Sequence, residues 1–271
     1  MYNVLRNSYL SLTCNGVTTN FDHKQVVLGC LPFNENHSGV NISDAIERML
    51  AKWSITKSQV AAFVRDNAAN IALANETLGV PGFGCCCHSL ALCVKDAVLE
   101  CNQIVHILAI GRKIVGHFNH SVLALQHLKT CQAQHGLKEN LLVQDCPTRW
   151  NSSYLMLQSL VDNEVAISTY SSRYATDNFL TLTHQEWRIA KKISKVLEKF
   201  HSLTLEFSKK TANIGCVIPG LFQIEVSLLF KQIRDYFQQL FRNFCLLELM
   251  IGVYVVSNKS YWTVLSIGLV K

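Results

Sequence analysis

The sequence predicts a mixed α/β fold in which a short sheet-forming region precedes a much longer helical one. Three observations carry this. Residues 8–17 (SYLSLTCNGV) and 25–33 (QVVLGCLPF) are rich in strand formers, and residues 16–24 supply a turn between them, so they read as antiparallel neighbours. Residues 60–64 (VAAFV) form an apolar run that stops abruptly at Arg65, Asp66 and Asn67, the profile of a buried strand with a polar carboxyl end. Beyond residue 68 the apolar positions recur at helical spacing, with no internal repeat and no flexible linker.

Taken in order, Asn41 or Ser43 can cap a helix running to about Trp53, with Ile42, Ile46, Met49 and Leu50 on one face. A short helix over 68–78 is stopped by Gly79 and Pro81. Residues 88–131 form a long amphipathic stretch with breaks near 100–102 and 116–119, and residues 141–143 read as one more short strand before Asp145-Cys146-Pro147. Helices are expected over 149–160, 161–173, 185–207 and 219–240. The apolar runs 246–256 and 261–270 are each shorter than the roughly 20 residues that span a bilayer. They read as a hairpin or a pair of poorly supported segments, with weak membrane anchoring as the alternative.

A chain of 271 residues makes one large domain or two small ones, and 49% hydrophobic against 16% charged residues excludes a disordered chain. The 25 basic and 19 acidic residues leave +6, which permits a nucleic-acid partner, although no long Lys/Arg block occurs. Residues 1–10 lack the apolar core of a secretory signal, so the 11 cysteines are expected to be reduced, in the cytosol or nucleus, and mostly packed as small hydrophobes. No nucleophile elbow and no glycine-rich phosphate loop is present, which leaves hydrolase and nucleotide-binding readings without support.

Three clusters could carry chemistry. Asp66-Asn67-Ala68-Ala69-Asn70 lies between a strand and a helix, where a rigid carboxylate can ligate a divalent cation or simply cap the helix. Cys85-Cys86-Cys87-His88 sets Cys85 and His88 three apart, a zinc spacing. Two further ligands would have to come from Cys93, Cys101, His106, His117 or His120, and the other reading is an apolar helix start. In Asp145-Cys146-Pro147-Thr148-Arg149-Trp150-Asn151-Ser152, a guanidinium and an indole sit at a strand-to-helix corner. They suit a phosphate and a stacked base, or else a buried Trp with Arg149 salt-bridged to Asp145.

In this order and spacing, residues 63–70, 85–92 and 145–152 resemble the central block of hAT-superfamily transposases and of the zinc-finger BED domain-containing proteins derived from them. Residues 8–13 and 27–33 also resemble that family, and the similarity covers roughly residues 7–240. The resemblance implies a partial RNase H-like α/β domain, with few strands including an antiparallel pair, interrupted by a mainly helical insertion. It places the partial core at 1–160, the insertion region at 161–240 and a divergent apolar tail at 241–271. Active members bind two divalent metals, Mg or Mn, through three acids, and Asp66 matches the second of them. The first is expected before Ser8 and the third beyond the helical insertion; Glu225 and Glu248 sit too early to serve. Asp66 is therefore expected to be a vestigial metal-binding acid and the chain not to be an enzyme. Cys85, His88, Arg149 and Trp150 match positions that help hold DNA, the Trp beside an unstacked base.

The resemblance also implies that the BED finger and the dimerisation segment are missing, so that zinc is not required. It further implies that β-pairing residues 8–17 lose their first-strand neighbour, exposing a sheet edge. The expected function is a catalytically inactive, DNA-associated nuclear protein in transcription regulation, with other nuclear proteins as partners and no membrane. The alternatives are a protein-interaction module over 101–240 and a residual metal-dependent strand transferase acting with missing segments.

Overall fold

The computed structural model describes residues 8–17, 20, 22–174, 179–209, 212, 216–217 and 219–222, and the backbone of 263–270. The chain forms two compact units: residues 1–89, 207–219 and 240–271, and residues 90–206 and 220–239.

The first unit is built on a sheet. Strands β1 (Tyr9–Val17) and β2 (His23–Pro32) pair antiparallel, as expected, with a register shift between Leu12 and Thr13. Helix α1 (Gly39–Lys52) starts earlier than the expected cap at Asn41 or Ser43. Its cap is Ser38, whose hydroxyl accepts the Asn41 N–H at 3.2 Å, while the side chains of Asn41 and Ser43 donate to the carbonyls of Asn36 and Val40. The predicted face of Ile42, Ile46, Met49 and Leu50 is buried, and Trp53 ties the helix end to the sheet by donating Nε1–H to the Leu28 carbonyl at 2.6 Å.

Strand β3 (Val60–Arg65) buries Val60, Ala62 and Phe63. Helix α2 (Ala69–Leu78) ends at Gly79, whose φ of 68° is the left-handed conformation glycine adopts without strain. Strand β4 (Gly82–Gly84) pairs parallel to β3 and has no sequence signal of its own, since Gly-Phe-Gly is neither apolar nor alternating. A Cβ at Gly82 would collide with the Asn75 side chain, which is buried and donates to the Val80 carbonyl at 2.8 Å.

The exposed edge expected beside β1 is not found. Strand β5 (Thr263–Val270) pairs antiparallel with β1 and parallel with β3, giving the order β2-β1-β5-β3-β4. Residues 263–270 of the apolar run thus contribute a central strand, with pairing on both sides. Leu10, Leu12, Ile42, Ile46, Phe63 and Ile71 form the heart of the core below the sheet.

The second unit is helical. Helix α3 (Cys86–Val94), whose first turn belongs to the first unit, runs on through a wider turn over Lys95–Leu99, where the Glu100 N–H reaches the Lys95 carbonyl, and then breaks at Cys101. Helix α4 (Asn102–His120) passes straight through the break expected at 116–119. The interruption falls at Ser121 instead, which caps α5 (Val122–Gln134) by accepting the Ala124 N–H. Residues 141–143, expected as a strand, are irregular: the Val143 N–H donates to the Ser159 hydroxyl rather than to a ladder. Helices α6 (Trp150–Asp162), α7 (Glu164–Arg173) and α8 (His184–Phe207) follow. They bury Leu157, Leu160, Ile167, Tyr170, Leu197 and Phe200, with Phe118 of α4 edge-on to Tyr170. Of the helix expected over 219–240 only 219–222 are described, and residues 246–256 lie outside the described residues. Among the described residues no helix is long and apolar enough to cross a membrane.

Candidate functional site

Two corners hold the five predicted site residues. In the first unit, the parallel pairing of β3 with β4 sets Arg65 opposite Gly84, so both strands finish side by side. The Cys85 N–H extends the ladder by donating to the Arg65 carbonyl at 2.6 Å. Asp66 and Cys85 therefore stand next to each other at the carboxyl ends of parallel strands, the end at which α/β sheets bind ligands.

Asp66 is half-buried, and its Oδ1 accepts the Ala68 N–H at 3.1 Å, an Asx turn that leads into α2. Arg65 donates from Nη1 to the Asp66 carbonyl, while its buried Nε has no partner among the described residues. Cys85 immediately precedes α3, and its carbonyl accepts the Ser89 N–H. A hydrogen bond from Cys87 favours the Cys85 thiolate most; burial opposes it, and the N–H groups of His88 and Cys87 and the charge of His88 add to the lowering. The net effect holds the Cys85 thiol at about 6. The same Cys85–Cys87 bond pushes Cys87 far upward, so the pair shares one proton, and the Cys87 sulfur also lies 3.7 Å from the Ser208 hydroxyl. His88 is exposed.

The second corner lies in the helical unit. Arg149 is exposed and Trp150 is buried at 8% exposure, so the indole face an unstacked base would need is covered by protein. The expected Arg149–Asp145 salt bridge is not formed. Asp145 is taken instead by Arg112 of α4, which forks onto it with Nε–Oδ1 at 3.0 Å and Nη2–Oδ2 at 2.8 Å. Ser153 donates to the same carboxylate at 3.0 Å and Gln144 at 3.3 Å. Burial pushes the Asp145 carboxyl up, but the bonds from Arg112 and Ser153 outweigh it and hold it below the ordinary carboxylate value. Ser152 completes the clamp: its hydroxyl accepts the Cys146 N–H at 2.8 Å, and the Arg149 N–H closes the turn on the Cys146 carbonyl. The corner thus fixes the backbone from which Arg149 projects. Arg112 and Ser153 were invisible as site residues in the sequence, since Arg112 lies 33 positions from its partner.

Of the residues considered as partners of Cys85 and His88 for zinc, three are bonded or buried, while Cys101 and His120 are exposed. His106 pairs with Glu186 at 3.1 Å, His117 Nε2 lies 2.7 Å from the Tyr170 hydroxyl, and Cys93 is buried. Among the described residues no three of His, Cys, Asp and Glu converge as a metal site. Glu225 and Glu248 lie outside the described residues.

Comparisons with known proteins identify the two regions. Residues 3–79 match the ZBED1 RNase-like domain and residues 83–196 match the ZBED1 RNase-like helical domain. Human zinc finger BED domain-containing protein 6 is 28% identical over 199 residues, covering 73% of this chain and 20% of that protein. Human zinc finger BED domain-containing protein 4 is 26% identical over 236 residues, covering 83% and 20%. The transposable element Hobo transposase of Drosophila melanogaster is 28% identical over 162 residues, covering 58% and 23%. The chain spans about a fifth of the length of these relatives. It belongs to the ZBED-type family of proteins derived from hAT-superfamily transposases.

Proposed function

We propose that this chain is a DNA-associated part of a nuclear transcriptional regulator, descended from a transposase and without strand-transfer activity. The observation that carries the DNA reading is the Asp145 corner. A buried, fully bonded carboxylate there fixes the turn from which exposed Arg149 reaches solvent, as a phosphate contact requires. Exposed His88, beside Cys85, is the corresponding contact of the first unit, with Trp150 supporting Arg149 from the core rather than stacking on a base.

Inactivity is supported by the state of Asp66. Two-metal strand transfer needs several carboxylates converging on paired ions, and among the described residues no three His, Cys, Asp or Glu side chains converge at Asp66. The helical segment reads as an insertion in the sheet domain. In support, β5 follows it in sequence yet sits between β1 and β3, so strands of one sheet bracket the helices.

The test is incubation of the full chain with a nicked duplex or hairpin in Mg²⁺ or Mn²⁺. No cleavage is expected, and metal-dependent cleavage lost in Asp66→Asn would overturn the reading. A second reading, a protein-interaction module, is favoured by Val122 and Leu123, which stand 75% and 63% exposed at the start of α5. Absence of salt-dependent DNA binding decides for it.

A further inference from the structure

We propose that the face of α8 carrying Arg188, Lys192, Lys195 and Lys199 is a docking surface for the phosphate backbone of duplex DNA, separate in sequence from the Arg149 corner. The proposal rests on the DNA reading above and names a surface through which that binding is made.

The sequence shows only scattered cations here, but helical geometry aligns them. At about 100° per residue, offsets of 4, 7 and 11 positions place the side chains of Lys192, Lys195 and Lys199 within about 40° of Arg188. At 1.5 Å per residue the stripe is about 16.5 Å long. One strand of B-DNA advances about 3.4 Å per phosphate, so the stripe matches the length of about five phosphates. All four residues are exposed, because the opposite face of α8 buries Trp187, Ala190, Ile193, Leu197 and Phe200.

The stripe is also unneutralised. Among the described residues none of the four forms a salt bridge, whereas Lys191, off the stripe, is paired with Glu164. The acids of α8 lie elsewhere: Glu186 is bonded to Thr183 and His106. Glu198 points about 80° away from Arg188 and about 60° from Lys195, and Glu206 lies on the same face but about 10.5 Å beyond Lys199. Like charges at i,i+3 and i,i+4, here Arg188/Lys192, Lys192/Lys195 and Lys195/Lys199, destabilise a helix. The alignment therefore has no stabilising role within α8, while it complements a polyanion. Charge complementarity of this kind carries affinity without reading sequence.

The test is fluorescence anisotropy of a labelled duplex with the full chain between 50 and 200 mM salt. It compares R188Q/K192Q/K195Q/K199Q with the charge-matched control K24Q/K52Q/K113Q/K138Q, whose lysines are exposed elsewhere. Gln is as good a helix former as Lys and these sites are on the surface, so the fold is retained in both. The stripe variant is expected to weaken binding at least ~10-fold at 50 mM salt and to flatten the log–log salt slope by about 3 to 4, at about 0.9 per lost phosphate contact. The control should stay within ~2-fold of the unaltered chain. Equal losses in both variants, marking a bulk charge effect, or no loss in the stripe variant, overturn the surface while leaving the DNA reading in place. If the unaltered chain shows no salt-dependent binding, both fall together.

Discussion

Asp66 and Asp145 each stand a few residues before a helix, and the protein treats them in opposite ways. The Asp145 side chain is fully buried and receives donors from Arg112, Ser153 and Gln144. Asp66 is half-buried and receives one backbone N–H, from Ala68. A carboxylate whose lone pairs are filled by the protein holds architecture, whereas one with lone pairs left over can meet a ligand. On the proposed reading the motif containing Asp145 works through its neighbour Arg149, whereas the acid of the Asp66 motif keeps acceptor capacity of its own.

The largest expected effect breaks the first half of that contrast. Arg112→Met leaves Asp145 buried without its ionic partner, a class of change that costs about 3–5 kcal/mol. Because Arg112 is itself 33% exposed, the lower end applies. Asp66→Asn keeps an oxygen to accept the Ala68 N–H and should change stability by no more than about 0.5 kcal/mol. Urea midpoints measure both; equal costs at the two sites would erase the distinction.

Gly82→Ala tests the frame that brings Cys85 beside Asp66. The added Cβ meets the buried Asn75 side chain, which cannot move without losing its bond to the Val80 carbonyl. Overpacking of this kind costs about 1–3 kcal/mol, visible as a lowered melting temperature. A smaller, pH-dependent effect separates the two acids. The folded-state pKa of Asp145 lies below its unfolded value of about 3.9. Its contribution is therefore fully present above pH ~4 and is lost as the pH falls through the lower, folded value. Asp145→Asn should unfold with less pH dependence below pH 4 than the unaltered chain, as followed by circular dichroism.

Much of this was legible in the sequence because the signals are local. The β1–β2 pair, the buried β3 ending at Arg65, and the periods of α1, α6 and α8 follow from side-chain alternation and helical spacing. What was not legible is set by partners distant in sequence. β4 exists because Gly82–Gly84 can lie flat against β3, and glycine carries no strand signal. Residues 141–143 have the composition of a strand but find the Ser159 hydroxyl instead of a neighbour. β5 reads as an unsupported apolar tail until β1 and β3 pair with it. In the candidate site the same division holds. Arg149 stood out by type and position, whereas its loss of Asp145 to Arg112 depends on how α4 packs. The α8 stripe was readable from its spacing, but only a helical wheel, not composition, reveals it.

The finest distinction lies within one cluster of thiols. Cys85 is held at about 6 by the hydrogen bond from Cys87, against burial, with help from backbone N–H groups and His88, while burial pushes Cys86 and Cys93 up to about 12. Alkylation with iodoacetamide, followed by peptide mass spectrometry, should modify Cys85 with a midpoint near pH 6 and leave Cys86 and Cys93 unmodified at pH 7. Since the folded value lies below that of a free thiol, the thiolate's stabilising contribution is present at high pH and lost as pH falls through about 6. Cys87→Ala removes the donor and should move the midpoint upward, toward the free-thiol value, whereas Cys87→Ser keeps a hydroxyl donor and should move it less. No shift in either variant would mean that the helix start and His88, rather than the Cys87 thiol, hold the Cys85 charge. The first corner would then owe its anionic group to backbone N–H groups and the charge of His88, as Asp66 owes its orientation to the Ala68 N–H.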